Sequence, residues 1–406
     1  MRDINTDETE QSNRLQNLEL NRRQFTASFA GAAGTGFVLD STILDWLPDW
    51  FGDSDEDSEE TTSTRSCTCD YTSTKKTEPF GKWRQVGVFD PGPSPAFNAT
   101  AKNSENPVLK QGNGWDADRV ADPEVIKVGD EWRIYYSGRP ERSIGVATSP
   151  DGLVDWSKRA ENPVLTPGAS GSWDSSTAER PSVIKLGGKY YMWYTGSDGS
   201  TSQIGLATSD DGISWTKHDS NPVLTPNSSG WDSSHVYSQG VLYEGGTVYL
   251  FYTAKGSSSE QIGYATSADG VNWSKSSSNP VLPPSSSGWD SINTHNPDLT
   301  KVGSTYHMVY SGKGSTSPNA GHEQVGHAWS TDLDNWTKNP HNPIISHGAD
   351  SEWDYDDVTQ GEIVRDGDTF ELFYAGDDAS GAGTKIGNAS IDITEPADAA
   401  GAGLPT

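Results

Sequence analysis

Five stretches of this chain begin with a Trp-Asp pair and then run into unlike polar residues at matched positions. Counting from the Asp of each pair, the sixth residue reads Asp122, Arg180, Ser238, Asn296 and Gln360. The fifth reads Ala121, Glu179, Tyr237, His295 and Thr359, and the eighth Glu124, Ser182, Gly240, Asp298 and Glu362. The ninth is apolar every time: Val125, Val183, Val241, Leu299 and Ile363. Carboxyl groups can give or take protons, and a guanidinium can orient a carboxylate or grip a substrate group. A repeat that keeps its scaffold while varying these positions is assembling one site for an asymmetric ligand. The bland alternative is a wet channel mouth that tolerates polar drift.

The elements that must carry these residues follow from the repeat itself. Each copy opens Asn-Pro-Val-Leu (Asn-Pro-Ile-Ile in the last) at Asn106, Asn162, Asn221, Asn279 and Asn342, giving periods of 56, 59, 58 and 63 residues. After each Trp-Asp comes an apolar run, a Gly or Asp turn, and an aromatic-rich run such as Glu131–Gly138 or Lys189–Gly196. Tyr, Trp, Phe and Ile suit a buried pleated surface. A third run (Ile144–Ser149, Ile204–Ser209) leads through Asp-Gly turns, replaced by Asp332-Leu333-Asp334-Asn335 in the fourth copy, to a fourth around Trp156, Trp215, Trp273 or Trp336. Four strands make a blade. The pattern predicts an all-β fold, a five-bladed β-propeller with four antiparallel strands per blade. The fifth copy stops after its third strand, so an N-terminal strand must close the ring and remove an exposed edge. Lys82–Val86, with its Trp83, is the expected closing strand. The Trp-Asp pairs invite a WD-repeat reading, but those blades run roughly 40–45 residues. Being constant, the pairs are read as structural, Trp packing between blades and Asp holding a turn.

Lys and Arg number 29 against 57 Asp and Glu, a net charge of −28. Nucleic acid is therefore excluded as a partner, since its binding depends on cations that neutralise phosphates. A folded protein this acidic points to a high-salt source, where screening removes self-repulsion. Residues 1–45 read as an export signal: Asn21-Arg22-Arg23-Gln24-Phe25 resembles the twin-arginine motif, followed by a weakly apolar Gly/Ala stretch. That stretch is too short for a membrane span, so membrane contact is expected only through the signal, and the chain is expected to be secreted or held at the cell surface. Residues 46–79 read as an acidic Ser/Thr-rich linker and 393–406 as a disordered tail, leaving 80–392 as the propeller. Cys67 and Cys69 both fall in the linker, which argues against a disulfide framework or a zinc site. A monomer is expected.

At Ala121-Asp122-Pro123-Glu124-Val125-Ile126 and the Tyr-Tyr strand after it, the chain resembles the five-bladed glycoside hydrolases of families 43 and 32. Its Asn-Pro-Val-Leu and Ile-Gly-Leu-Ala-Thr-Ser-Asp-Asp-Gly segments are also similar to the mannoside phosphorylase family 130. The resemblance covers about Phe80 to Ile391. It implies carbohydrate cleavage by paired carboxyl groups, with Asp122 matching the general base or nucleophile. Glu179-Arg180-Pro181 stands where the second motif usually carries an Asp, and Tyr237-Ser238-Gln239-Gly240 where the third supplies a Glu. The expected proton donor is thus missing. Cleavage needs one protonated carboxyl and one carboxylate, about 5–5.5 Å apart for retention or 6.5–9.5 Å for inversion. Candidates for the acid, in order, are Glu179, Glu362 and Asp298. Arg180, His235, Tyr237, Asn296 and Gln360 are candidates for holding the sugar. The resemblance also implies a calcium ion beside His295, acting largely through water because calcium prefers oxygen ligands; the alternative is a histidine hydrogen-bonded within the channel. No cofactor is required. The readings this leaves are an exported glycosidase, a noncatalytic carbohydrate-binding propeller, or a phosphorylase-like enzyme. A sialidase needs an arginine trio, and the ring offers only Arg180 with Arg119 nearby.

Overall fold

The computed structural model describes residues 96–394, apart from 316–319, 367–368 and 379–382. The expected export signal, linker and tail fall outside these residues. Blade one holds β2 (Arg119–Val128), β3 (Glu131–Arg139), β4 (Ser143–Ser149) and β5 (Ser157–Lys158), and blade two β6 (Thr177–Leu186), β7 (Lys189–Ser197), β8 (Ser202–Ser209) and β9 (Thr216–Lys217), with β1 being Ala96–Lys102. Blade three holds β10 (His235–Glu244), β11 (Thr247–Lys255), β12 (Glu260–Ser267) and β13 (Ser274–Lys275), and blade four β14 (Asn293–Val302), β15 (Thr305–Lys313), β16 (Glu323–Ser330) and β17 (Thr337–Lys338). Blade five holds β18 (Asp357–Asp366), β19 (Thr369–Asp377) and β20 (Lys385–Thr394). Every sheet is a four-stranded antiparallel meander, and β1 supplies the outer strand of the last, in the order β1-β20-β19-β18. This is the five-bladed propeller that the period and the aromatic runs predict.

Ring closure does come from an N-terminal strand, but a different segment from the one expected. Ala96–Lys102 pairs with β20, whereas Lys82–Val86 lies outside the described residues. The reason is visible in the other blades. The outer strands are only two residues long, and each ends in a lysine whose ammonium reaches the Asp of its blade's Trp-Asp pair. Lys158–Asp116, Lys217–Asp174, Lys275–Asp232 and Lys338–Asp290 span 2.5–2.6 Å, and Lys102–Asp354 closes the series at 2.7 Å. What defines the outer strand is this lysine, four residues before Asn-Pro, and not the tryptophan.

The tryptophan of each pair fastens its own blade as well as packing, as expected, against an apolar cluster that two neighbouring blades share. Trp115 stacks on Tyr136 of its own blade, with ring centroids 5.5 Å apart. It lies so close over β4 that a Cβ on Gly145 would stand 2.5 Å from its ring. Between blades, packing is carried by five apolar clusters, each drawing residues from two neighbouring blades. One of them joins Val120 and Ile134 of blade one to Phe373 and Ile386 of blade five, so the seam is packed like the rest. The Asn of each Asn-Pro pairs its side-chain amide with the backbone of the third strand, as Asn162 does with Val146 at 2.8 and 2.9 Å. The repeated residues are therefore fasteners within a blade, and they leave the innermost strands free to differ.

Candidate active site

Each innermost strand is bulged at the fifth to eighth positions: the register slips between Ala121 and Glu124, Glu179 and Ser182, Tyr237 and Gln239, His295 and Asp298, and Thr359 and Glu362. At the bulge the sixth-position residue takes a left-handed backbone, with φ of 52° at Asp122, 58° at Arg180, 45° at Ser238, 50° at Asn296 and 57° at Gln360. None is glycine, so each stores on the order of 1 kcal/mol of strain or more, and bulges re-aim side chains in this way. All five residues line the cavity on the propeller axis. A hydroxyl on the preceding blade accepts the strained N–H: Ser137 for Arg180, Thr195 for Ser238, Thr253 for Asn296 and Ser311 for Gln360. Blade five has Ala375 at that register, and the Gln360 side chain takes over, its Oε1 accepting the Asp122 N–H at 3.0 Å. Gln360 thus orients Asp122.

Below this ring, the eighth positions bring Glu124, Asp298 and Glu362 together, with oxygens within 4.8 Å of one another. Each also ties its blade to the next: Glu124 accepts the Val183 N–H at 2.7 Å, Asp298 that of Ile363 at 2.9 Å and Glu362 that of Val125 at 3.4 Å. Burial, joined by mutual repulsion in the two glutamates, raises all three carboxyls: Asp298 to about 6, Glu124 and Glu362 well above the usual range. The cavity they share is about 40 Å³. That is room for a few waters and not for a sugar.

Above the ring, the axis opens into a pocket of about 270 Å³, close to the lower end of the small-molecule range. One wall is a continuous polar array. Arg180 Nε stands 3.5 Å from Asp122 Oδ1, and its guanidinium lies 5.1 Å over the Tyr237 ring. Tyr237 hydrogen-bonds to Glu260, and burial followed by that carboxylate raises its phenol. Glu260 lies 3.7 Å from His295 Nδ1, and Glu323 lies 3.8 Å from His295 Nε2. Burial opposes the charge on Glu323, but His295, the Thr359 hydroxyl, Lys313 and Arg180 together hold it below the usual carboxylate range. Burial likewise opposes the charge on Arg180, and Asp122, Tyr237 and Glu179 outweigh it.

The other residues singled out by sequence have different surroundings. Both oxygens of Glu179 accept hydrogen bonds from Arg139, at 2.7 and 3.1 Å. His235 accepts the Ser202 N–H at 3.2 Å and lines neither cavity. Asn296 donates toward Ser311 and Thr359, which leaves its Oδ1 buried without a partner. Gln239, standing where a Glu was expected, is spent on the backbone carbonyls of Arg180 and Trp193. Blade three does bring a glutamate to the axis, but from its third strand. Glu260 and Glu323 were missed because only the innermost strands were compared. The residue two before the constant Ile-Gly or Val-Gly of the third strand reads Arg142, Ser202, Glu260, Glu323 and Thr384, as unlike from blade to blade as the sixth position.

For calcium, the setting of His295 is poor, with two carboxylates at 3.7–3.8 Å and a buried, unpartnered Nε2. The axial carboxyls fit better. Three oxygens within 4.8 Å of one another need shift by no more than a few tenths of an ångström to share an ion at the usual distance of about 2.3–2.6 Å. The orphaned Ser238 Oγ and Asn296 Oδ1 line the same cavity.

Fold and site together define a five-bladed propeller with carboxyl and guanidinium groups gathered around a polar axial pocket. The sequence profile of glycosyl hydrolases family 43 matches residues 104–387, and the chain belongs to that family. An uncharacterized protein of Mycobacterium tuberculosis is 29% identical over 224 residues, covering 51% of this chain and 72% of its own. The beta-1,2-mannobiose phosphorylase of a Thermoanaerobacter species is 29% identical over 140 residues, 30% of this chain and 44% of its own. Among solved structures, a thermostable family-43 glycoside hydrolase superposes with a TM-score of 0.53 at 20% identity, covering 70% of this chain and 91% of that one. A GH130 structure, from a family described as mannoside phosphorylases containing hydrolases of beta-1,2 mannosidic linkages, reaches 0.58 at 19% identity, covering 75% and 98%.

Proposed function

We propose that the chain hydrolyses glycosidic bonds of an oligosaccharide or polysaccharide whose sugar sits in the mouth pocket, with Asp122 as general base or nucleophile and Glu260 as general acid. One observation carries this reading: Arg180 lines both the axial cavity, where it pairs with the Asp122 carboxylate, and the sugar-sized mouth pocket, where Tyr237 links it to a second carboxyl, Glu260. Arg180 stands 3.5 Å from Asp122 and orients its carboxyl group, as a base or nucleophile requires. The acid must hold a proton at the working pH. Glu323 is kept ionised, Glu179 is bound through both oxygens to Arg139, and Glu362 and Asp298 are spent on backbone N–H groups of the next blade. Glu260 is taken over Asp357 and Asp377, which also line the mouth pocket, because Tyr237 and Arg180 connect it to Asp122. The glycosidic oxygen takes its proton from Glu260, while Asp122 activates water or attacks the anomeric carbon from the other face.

The test is product release from a panel of polysaccharides and aryl glycosides in multimolar salt, comparing the parent with Asp122→Asn. Loss of about 100-fold or more in kcat is expected. Binding of one polysaccharide by both proteins, with no cleavage by either, would leave a noncatalytic binding propeller. A single carboxyl in the sixth-position ring favours that second reading. Release that depends on added phosphate would indicate a phosphorylase.

A structural cation belongs to the same proposal, held by Glu124, Asp298 and Glu362 in place of His295. Calcium at about 100 times its Kd is then expected to stabilise the fold by about 2.7 kcal/mol. That gain should vanish in the Glu124→Gln, Asp298→Asn, Glu362→Gln triple variant and persist in His295→Ala. An unchanged melting temperature in calcium would remove the ion from the account.

A further inference from the structure

Three arginines crowd together between blades one and two, two of them (Arg119 and Arg180) lining the mouth pocket, and two of the three are matched. Arg139 is bound by Glu179 and Arg180 by Asp122. Arg119, at the start of β2, is the third. Among the described residues it makes no ion pair, and its Nε is buried without a hydrogen-bond partner. Burial, with Arg139 and Arg180 adding repulsion, lowers its pKa against the pull of Asp122 and Glu179. Asp122 and Glu179 are taken by the other two guanidiniums of the cluster, which leaves Arg119 on the pocket lining, partly out of water and without an ion-pair partner of its own. A buried charge with no counterion is expensive to fold.

The rest of the lining has the reverse character, with Glu260, Glu323, Asp357 and Asp377 in it. Carboxylates accept hydrogen bonds and donate none, so they suit a ligand rich in hydroxyls. An inorganic phosphate would face these four carboxylates with almost no donors to offer. A sugar that carries both hydroxyls and a carboxylate can meet the acidic lining and Arg119 at once.

We propose that the sugar bound in the mouth pocket is a uronic acid, its carboxylate paired with Arg119. This rests on the pocket's holding a carbohydrate, and it names the class of that carbohydrate. Arg119 is then a specificity residue, placed beside the reacting groups by the first residue of the strand that carries Asp122.

The probe is a set of uronate-bearing polysaccharides (glucuronoxylan, polygalacturonate, alginate), each beside its carboxyl-reduced counterpart, which keeps the linkages and loses the charge. Affinity and cleavage are measured on the full chain in molar salt. The expected result is that at least one acidic form binds about tenfold or more tighter than its reduced partner. Arg119→Gln should bring the ratio near one, and Arg119→Lys, which keeps the charge and guards against a folding artefact, should retain part of it. Equal binding of both forms, or a ratio unchanged in Arg119→Gln, overturns the proposal. So does competition by millimolar inorganic phosphate accompanied by sugar phosphate among the products, which would give the guanidinium to phosphate. Cleavage of neutral glycans without preference sinks the uronate assignment alone. Selective uronate binding without cleavage leaves the assignment standing and removes the hydrolase reading.

Discussion

The two proposed catalytic carboxyls are separable by chemistry. A general acid matters in proportion to how badly the leaving group needs a proton, whereas a base or nucleophile is needed whatever departs. Glu260→Gln is therefore expected to slow cleavage of a natural glycan by about 100-fold or more and to spare much of the activity on an activated aryl glycoside. Asp122→Asn should abolish both. Equal loss on the two substrates in Glu260→Gln would return the acid role to another carboxyl. Copy-to-copy comparison made Asp122 legible in sequence, because five unlike residues at one register cannot all be scaffold. The same comparison could have found Glu260, one strand further out. It could not have foreseen that Gln360 would be committed to the Asp122 backbone, because that exchange depends on Ala375, a missing hydroxyl in another strand. Nor could it have matched Glu179 with Arg139, forty residues away, since the pairing needs the blades in register.

At the scale of strands and blades, the repeat period and the Gly-punctuated aromatic runs were enough for the five-fold, four-stranded plan. The closing strand was placed about a dozen residues too early, because the conspicuous Trp83 outweighed the lysine spacing. That spacing has a physical meaning: in each outer strand a partly exposed lysine neutralises an almost fully buried aspartate. At the seam, Lys102 fastens β1, the one strand not continuous with its blade, to Asp354. Lys102→Met leaves that aspartate its Tyr374 hydroxyl at 3.1 Å and no cation. The lysine side chain is 33% exposed, so screening trims the penalty of an unpaired buried charge to about 2 kcal/mol. Denaturant melts should record that loss, and hydrogen exchange should place the extra opening in β20. Unchanged protection of β20 would mean that backbone pairing and the seam's apolar cluster hold the ring without the lysine.

For the whole molecule, the charge balance decides the solvent it tolerates. The latch lysines and the arginines Arg139 and Arg180 are matched to buried acids. Each such pair is neutral, so the net charge of −28 rests on the rest of the chain, largely where water reaches it. At about 0.1 M salt the Debye length is about 10 Å and neighbouring surface carboxylates repel one another; at about 1 M it is about 3 Å and most of that repulsion is gone. Self-repulsion opposes the compact state, so stability is expected to climb steeply as salt rises through this range and then to level off. Screening depends on ionic strength alone, whereas exclusion of salt from apolar surface favours sulfate over chloride. Thermal melts in sodium chloride and sodium sulfate at matched ionic strength separate the two. Coincident curves that rise mainly below about 1 M support screening as the cause and a high-salt habitat as its setting. A flat response to chloride with a rise in sulfate would mean that the acidic surface is indifferent to salt, and the charge would need another explanation.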